Sequence, residues 1–103
     1  MSRKPMMARD AMGDSIQAVS LGTTVTGTVG ASSDVTAALG YTLIRIMVDV
    51  LTHIKIGEGA LEATTDDAPL PAGSVEYFRV SPTDKVAFIA NSTTGTIWIT
   101  EVI

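Results

Sequence analysis

Hydrophobic and polar residues alternate with a period of two through residues 41–57. One parity consists of β-branched residues, namely Ile44, Ile46, Val48, Val50, Ile54 and Ile56. A helix would scatter these side chains over several faces, whereas a β-strand places them all on one face. The segment is therefore predicted to form one long strand or two consecutive strands, with the rest of the chain organised around it.

The segments on either side of this stretch also favour β-structure. Residues 15–29 are rich in threonine, and Gly22, Gly27 and Gly30 are expected to break this region into short strands by bulges or turns. A single helical turn at 37–39, capped by Asp34, is also expected. Further strands are predicted at 75–80, 85–90 and 96–102. Proline and Asp/Asn/Gly clusters separate these strands, so the connections are predicted to be tight turns.

Seven or eight short strands at intervals of about 8 to 12 residues, without a long helical period, are typical of an all-β domain. The sequence predicts an antiparallel β-sandwich or jelly roll over residues 15–103. Residues 1–14 contain Pro5, Gly13 and three interior methionines without useful periodicity. They are predicted to form an extended N-terminal arm that becomes ordered on binding.

The composition is apolar for a chain of 103 residues, with 46% hydrophobic and 17% charged residues. So small a domain needs much polar surface, and part of its apolar surface is therefore expected to be covered by a partner. Cysteine is absent from the sequence, which excludes a disulfide framework and a thiolate metal site.

The net charge of −4 is unevenly distributed. Residues 1–10 carry Arg3, Lys4 and Arg9 against Asp10, a sum of +2, which leaves −6 for the remainder. A body of that sign binds phosphate poorly, so no nucleic-acid partner is expected. No apolar run approaches the roughly 20 residues of a membrane span, and the N-terminus lacks the apolar core of a signal peptide, so synthesis and action in cytoplasm are expected, without membrane insertion.

Candidate chemistry is sparse. His53 is the only histidine and falls on the more polar parity, so it is interpreted as an edge or surface residue. Asp66 and Asp67 form the only adjacent acidic pair, without the spacing of a calcium loop. Residues 57–59 (GEG) are too short for a phosphate-binding loop. No catalytic, metal-binding or cofactor-binding residue is therefore assigned, and the chain is predicted not to be an enzyme.

The aromatic residues leave two interpretations open. They are spread over separate predicted strands, which favours a role in the core, but a stacking platform for sugars is the alternative. The five are Tyr41, Tyr77, Phe78, Phe88 and Trp98. Exposure of Trp98 or Tyr77 would favour the platform.

Residues 63–101 resemble the C-terminal half of small bacteriophage virion proteins. The motifs are LPAG at 70–73, EYF at 76–78, PTDK at 82–85 and GTIWITE at 95–101. The strand predicted at 52–57 is also similar, and the match covers about half of the chain. Thr83 stands where the family pattern often has glycine.

The resemblance implies a structural protein without cofactors, related to head decoration (cement) or neck proteins. The leading hypothesis is a protein on the outer surface of the capsid that bridges subunits of the major capsid protein, as a homotrimer or homodimer. Its partner-binding residues are expected in the arm: Arg3, Lys4, Met6, Met7, Arg9 and Met12. A component of a neck or tail ring and a carbohydrate-binding adhesion module are the alternatives.

Overall fold

The computed structural model describes residues 5–6, 10–11 and 20–103. The described residues contain no helix, and ten strands account for their regular structure. The strands are β1 (Pro5–Met6), β2 (Asp10–Ala11), β3 (Leu21–Val29), β4 (Asp34–Val35), β5 (Leu43–Val48), β6 (Thr52–Gly57), β7 (Ala68–Leu70), β8 (Val75–Arg79), β9 (Lys85–Ala90) and β10 (Gly95–Val102). The prediction of an all-β chain is confirmed.

The short strands β1 and β2 pair antiparallel with each other. They fall within the predicted arm, residues 1–14, and the rest of that arm lies outside the described residues.

Strands β3 to β10 pair as one long, nested hairpin. β6 pairs with β7, β5 with β8, β4 with β9 and β3 with β10, always antiparallel. Two further pairings, β10 with β5 and β9 with β6, fold this long hairpin into two sheets. We call the sheet with the order β3-β10-β5-β8 sheet I and the sheet with the order β4-β9-β6-β7 sheet II.

This pairing is that of an eight-stranded jelly roll, in which two four-stranded antiparallel sheets pack face to face. The β6–β7 connection stays within one sheet, and each of the other connections between β3 and β10 passes from one sheet to the other. The fold predicted from strand number and spacing is therefore confirmed.

The core lies between the two sheets and is built from the alternating residues of the longer strands. Its largest fully buried side chains are Ile44, Ile46, Ile97, Ile99, Val29, Val48 and Val86. Burying a side chain of this kind contributes about 1.5–3 kcal/mol to folding. β5 and β6 are two consecutive strands in different sheets. The β-branched side chains that alternate through residues 44–56 point into the core from both strands.

The predicted break at Gly27 is wrong, because β3 continues through it, whereas the pairing of β3 with β10 shifts register between Leu21 and Thr24, as a bulge at Gly22 predicts, and β3 ends before Gly30. Gly27 is needed for packing across the sandwich: a Cβ atom there would lie 2.7 Å from Cζ of Phe88, in the opposite sheet. A helical turn at 37–39 was also predicted wrongly. Leu39 and Gly40 instead donate backbone hydrogen bonds to carbonyls of the β8–β9 turn, at Asp84 and Pro82.

Candidate partner-binding face

Part of the outer face of sheet II is covered by the chain itself, whereas Val35 of β4 and Lys55 of β6 remain exposed there. The segment between β6 and β7, which we call the 58–67 loop, is held at three points. Lys85 Nζ donates to the Gly59 carbonyl (3.1 Å), the Ala63 N–H donates to Ser33 Oγ (2.8 Å), and the Asp67 carbonyl lies 2.9 Å from Nδ1 of His53. These partners lie on β9, just before β4, and on β6, so the loop crosses the sheet.

The burial of side chains on the outer face of sheet II agrees with the path of the 58–67 loop. The side chain of Ala87 belongs to the outward parity of β9, yet it is 0% exposed. Ala63 in the loop is only 2% exposed. Small side chains on both surfaces allow the loop to pack closely on the sheet.

His53 lies on the outward parity of β6, as predicted, but it is only 8% exposed, so the interpretation as a surface residue is wrong. The 58–67 loop and the β9–β10 turn cover it. Nε2 lies 3.0 Å from Oδ1 of Asn91, and Nδ1 contacts the Asp67 carbonyl. The protonated ring can donate to both oxygens at once.

These contacts favour the charged form of the imidazole. The hydrogen bond with Asn91 contributes most to raising the pKa of His53, followed by the bond with the Asp67 carbonyl. Burial lowers this pKa, and the nearby negative charges of Asp67 and Asp66 raise it, so the net shift is upward. His53 is thus a pH-sensitive connection between the sheet and two loops.

The acidic pair serves the local structure of the 58–67 loop. Asp67 Oδ2 accepts a hydrogen bond from the Thr64 N–H (2.7 Å), and the Asp67 N–H donates to the Thr64 carbonyl (3.0 Å). The Asp66 N–H donates to Thr64 Oγ1 (3.3 Å). In the described part of the chain, no three metal-ligating side chains of the His, Cys, Asp or Glu type come together.

A concavity of about 430 Å³ lies between β4 and the 58–67 loop. Its lining includes the carboxyl groups of Asp34 and Glu62, both on exposed residues. Oδ1 of Asp34 accepts a hydrogen bond from the Val35 N–H (2.8 Å), which occupies it within the strand. Ser33 is also part of the lining, and its Oγ accepts a hydrogen bond from the Ala63 N–H (2.8 Å).

The outer face of sheet I has a different composition. In its first row across the strands, Trp98 of β10 lies opposite Met47 of β5, which lies opposite Val75 of β8. In the next row, Thr100 lies opposite Arg45, which lies opposite Tyr77. We call the surface formed by Leu43, Arg45, Met47, Val75, Tyr77, Arg79 and Trp98 the Trp98 face.

Large side chains of the Trp98 face remain accessible to solvent. Tyr77 is 50% exposed and Val75 is 38% exposed, while Trp98 and Met47 are half-buried. The two charged residues of this face are Arg45 and Arg79, so it is positive although the chain as a whole has a net charge of −4. The apolar row has Arg45 on one side and the exposed Asp49, opposite Thr96, on the other, so it suits a partner with an apolar centre and a polar rim.

The predicted partner-binding residues cannot be placed on this surface. Arg3, Lys4, Met7, Arg9 and Met12 lie outside the described residues, and Met6 is described only as part of β1.

The aromatic residues divide between the two interpretations. Phe88 is buried, and Phe78 and Tyr41 pack against the core, whereas Trp98 and Tyr77 lie on the outside of sheet I. Arg45, Met47 and Val75 were not predicted to belong to a site. The sequence feature that could have identified them is the alternation itself, because they fall on the opposite side of the strands from the buried isoleucines.

No protein-family model, curated protein or solved structure matches this chain. A search for a helix long and apolar enough to cross a membrane finds none within the described residues.

Proposed function

We propose that this chain is a non-enzymatic structural protein of a bacteriophage virion, which decorates the capsid exterior and cements neighbouring subunits of the major capsid protein. The resemblance of residues 63–101 to small virion proteins supports the placement in a virion. The Trp98 face is the observation that carries the proposal of protein binding, because it offers apolar and aromatic side chains on a rigid sheet.

The composition of the Trp98 face suits docking onto a protein surface. Tyr, Trp, Met and Arg are the residue types enriched at the centres of protein interfaces, and all four occur here. The strands hold these side chains in fixed rows, so docking costs little conformational entropy. Arg45 and Arg79 favour an acidic partner surface.

Cementing requires contact with two neighbouring subunits. In this proposal the Trp98 face binds one capsid subunit, and the N-terminal arm binds the next. The basic and methionine residues of the arm supply charge and adaptable apolar contacts. Many copies on symmetric sites then convert weak individual contacts into firm attachment.

The first test is the copy number of this chain in purified virions, measured by quantitative mass spectrometry. Capsid decoration predicts hundreds of copies per particle, whereas a neck or tail ring predicts about a dozen or fewer. Absence of the chain from the virion contradicts the proposal.

The second test is co-sedimentation with capsids from a phage genome that lacks this reading frame. The variant Tyr77→Lys is expected to reduce binding at least tenfold, because it places a charge in the apolar centre of the interface. Thr65→Lys is the matched control, since Thr65 is exposed on the 58–67 loop over the other sheet. Equal binding of the two variants would exclude the Trp98 face as the docking surface.

The half-exposed ring of Tyr77 beside Arg45 also favours a second candidate function, a carbohydrate-binding module in host adhesion. Exposed aromatic rings stack against the apolar faces of sugars. Binding to a glycan array that is lost in Tyr77→Ala, together with no binding to capsids, would support this function over cementing.

A further inference from the structure

The outer edge of sheet I at β3 is long and uncharged. β3 has nine residues, LGTTVTGTV, without a proline or a charged side chain. Within the described part of the chain, its pairing partner is β10, on one side. An edge of this kind presents unpaired backbone N–H and C=O groups, which can pair with another strand.

Hydrogen bonds elsewhere in sheet I identify which groups of β3 point outward. The Thr96 carbonyl accepts from the Asp49 N–H (3.3 Å), so the peptide groups of Thr96 point toward β5. Alternation then directs the peptide groups of Ile97 toward β3, where Ile97 faces Gly27. It follows that Gly27 bonds to β10, while Thr26 directs its N–H and C=O away from the sheet, as do Thr24 and Thr28.

The other edges of the sandwich resist pairing. β4 has only two residues, and β7 has three residues with Pro69 in the middle. β8 carries Glu76 and Arg79. Short length, proline, charge and bulges are features by which natural sheets prevent association at their edges; β3 has a bulge between Leu21 and Thr24 but none of these features from Thr24 to Val29.

We propose that β3 pairs antiparallel with β3 of a second copy of this chain, in a register centred on Thr26. In this register Thr26 faces Thr26 of the second copy, and Thr24 faces Thr28. Three pairs of outward-directed residues then exchange about six backbone hydrogen bonds. The two copies form one continuous eight-stranded sheet with a twofold axis, and the two Trp98 faces lie on the same side of it.

A second copy fits this edge for reasons of charge and symmetry. Each chain has a net charge of −4, so two copies repel each other unless they meet where charge is absent, as along residues 21–29. The outward-directed residues are all threonines, and threonine pairs stabilise antiparallel strands. The β3 strands of two copies are thus compatible with each other across a twofold axis. This inference does not depend on capsid binding.

Cysteine cross-linking tests the register, because the chain has no cysteine of its own. Thr26→Cys is expected to form a disulfide-linked dimer under mild oxidation, since the two Cα atoms would lie about 5.5 Å apart. Thr24→Cys is the matched control. Its two copies would lie about 13 Å apart along the strands and should not link. The double variant Thr24→Cys/Thr28→Cys should link again.

The mass of the full chain in solution tests the dimer itself. Light scattering is expected to give about 21 kDa for the wild type, twice the chain mass of 10.7 kDa. Thr26→Pro removes an outward-directed N–H that β10 does not use, so it should give a folded monomer. If circular dichroism shows that this variant is unfolded, Thr26→Lys replaces it, because two facing lysines repel each other. A monomeric wild type, a dimer that survives these variants, or equal cross-linking of the Thr26→Cys and Thr24→Cys variants would overturn the proposal.

Discussion

The two outer faces of the sandwich are both built from strands with alternating side chains, but they differ in how far other parts of the chain cover them. The 58–67 loop crosses sheet II, where Ala87 has no exposed surface. On sheet I, Tyr77 is half-exposed, and Trp98 and Met47 lie on the same face. The difference lies in the side chains: alanine allows a loop to pack closely, whereas the other face carries a row of larger apolar residues. The chain covers part of one face by itself and leaves large apolar side chains accessible on the other.

The largest expected effect is on the covered face. Ala87→Lys introduces a charge under the 58–67 loop, where it must either be desolvated or displace the loop. We expect the free energy of unfolding to fall by about 2–4 kcal/mol in urea denaturation. A loss below about 0.5 kcal/mol would show that the loop does not close over Ala87.

The connection through His53 should make the covered face sensitive to pH. Because the pKa of His53 is raised in the folded state, its contribution to stability is fully present below the unfolded pKa of about 6.5 and is lost as pH rises through the folded value. The stability of the wild type should therefore fall between pH 5.5 and pH 8.5 by more than that of His53→Gln. The same fall in both proteins would contradict this role for the histidine.

The covered and exposed faces should also differ in how well they tolerate a substitution to lysine. Tyr77→Lys, on the Trp98 face, is expected to change the free energy of unfolding by no more than about 0.5–1 kcal/mol, because the tyrosine is already half-exposed. Thermal denaturation of Tyr77→Lys and Ala87→Lys in parallel measures the difference in stability directly. A loss as large as that of Ala87→Lys would mean that the Trp98 face is part of the core.

Much of the fold could be predicted from the sequence, because β5, β6, β9 and β10 follow the period-two pattern closely. The continuity of β3 could not be predicted. Gly27 reads as a break along the chain, and its role depends on Phe88, which approaches from the opposite sheet. The order of strands in each sheet was also beyond local patterns, since it depends on pairings as distant as β3 with β10.

The candidate site was predicted less well than the fold. Parity correctly placed His53 on an outer face, but its burial depends on a loop that returns across the sheet. The Trp98 face brings together residues of three strands that are far apart in sequence. The spacing of Met47, Val75 and Trp98 along the chain contains no sign of that row.

Acrylamide quenching of the single tryptophan tests the difference between the two faces most directly, because Trp98 belongs to the row of large apolar side chains on sheet I. We expect quenching of the free protein to be clearly measurable, and quenching after binding to capsids to fall severalfold with a blue shift of the emission. Unchanged quenching and emission of the bound protein would contradict the claim that the chain docks through this face.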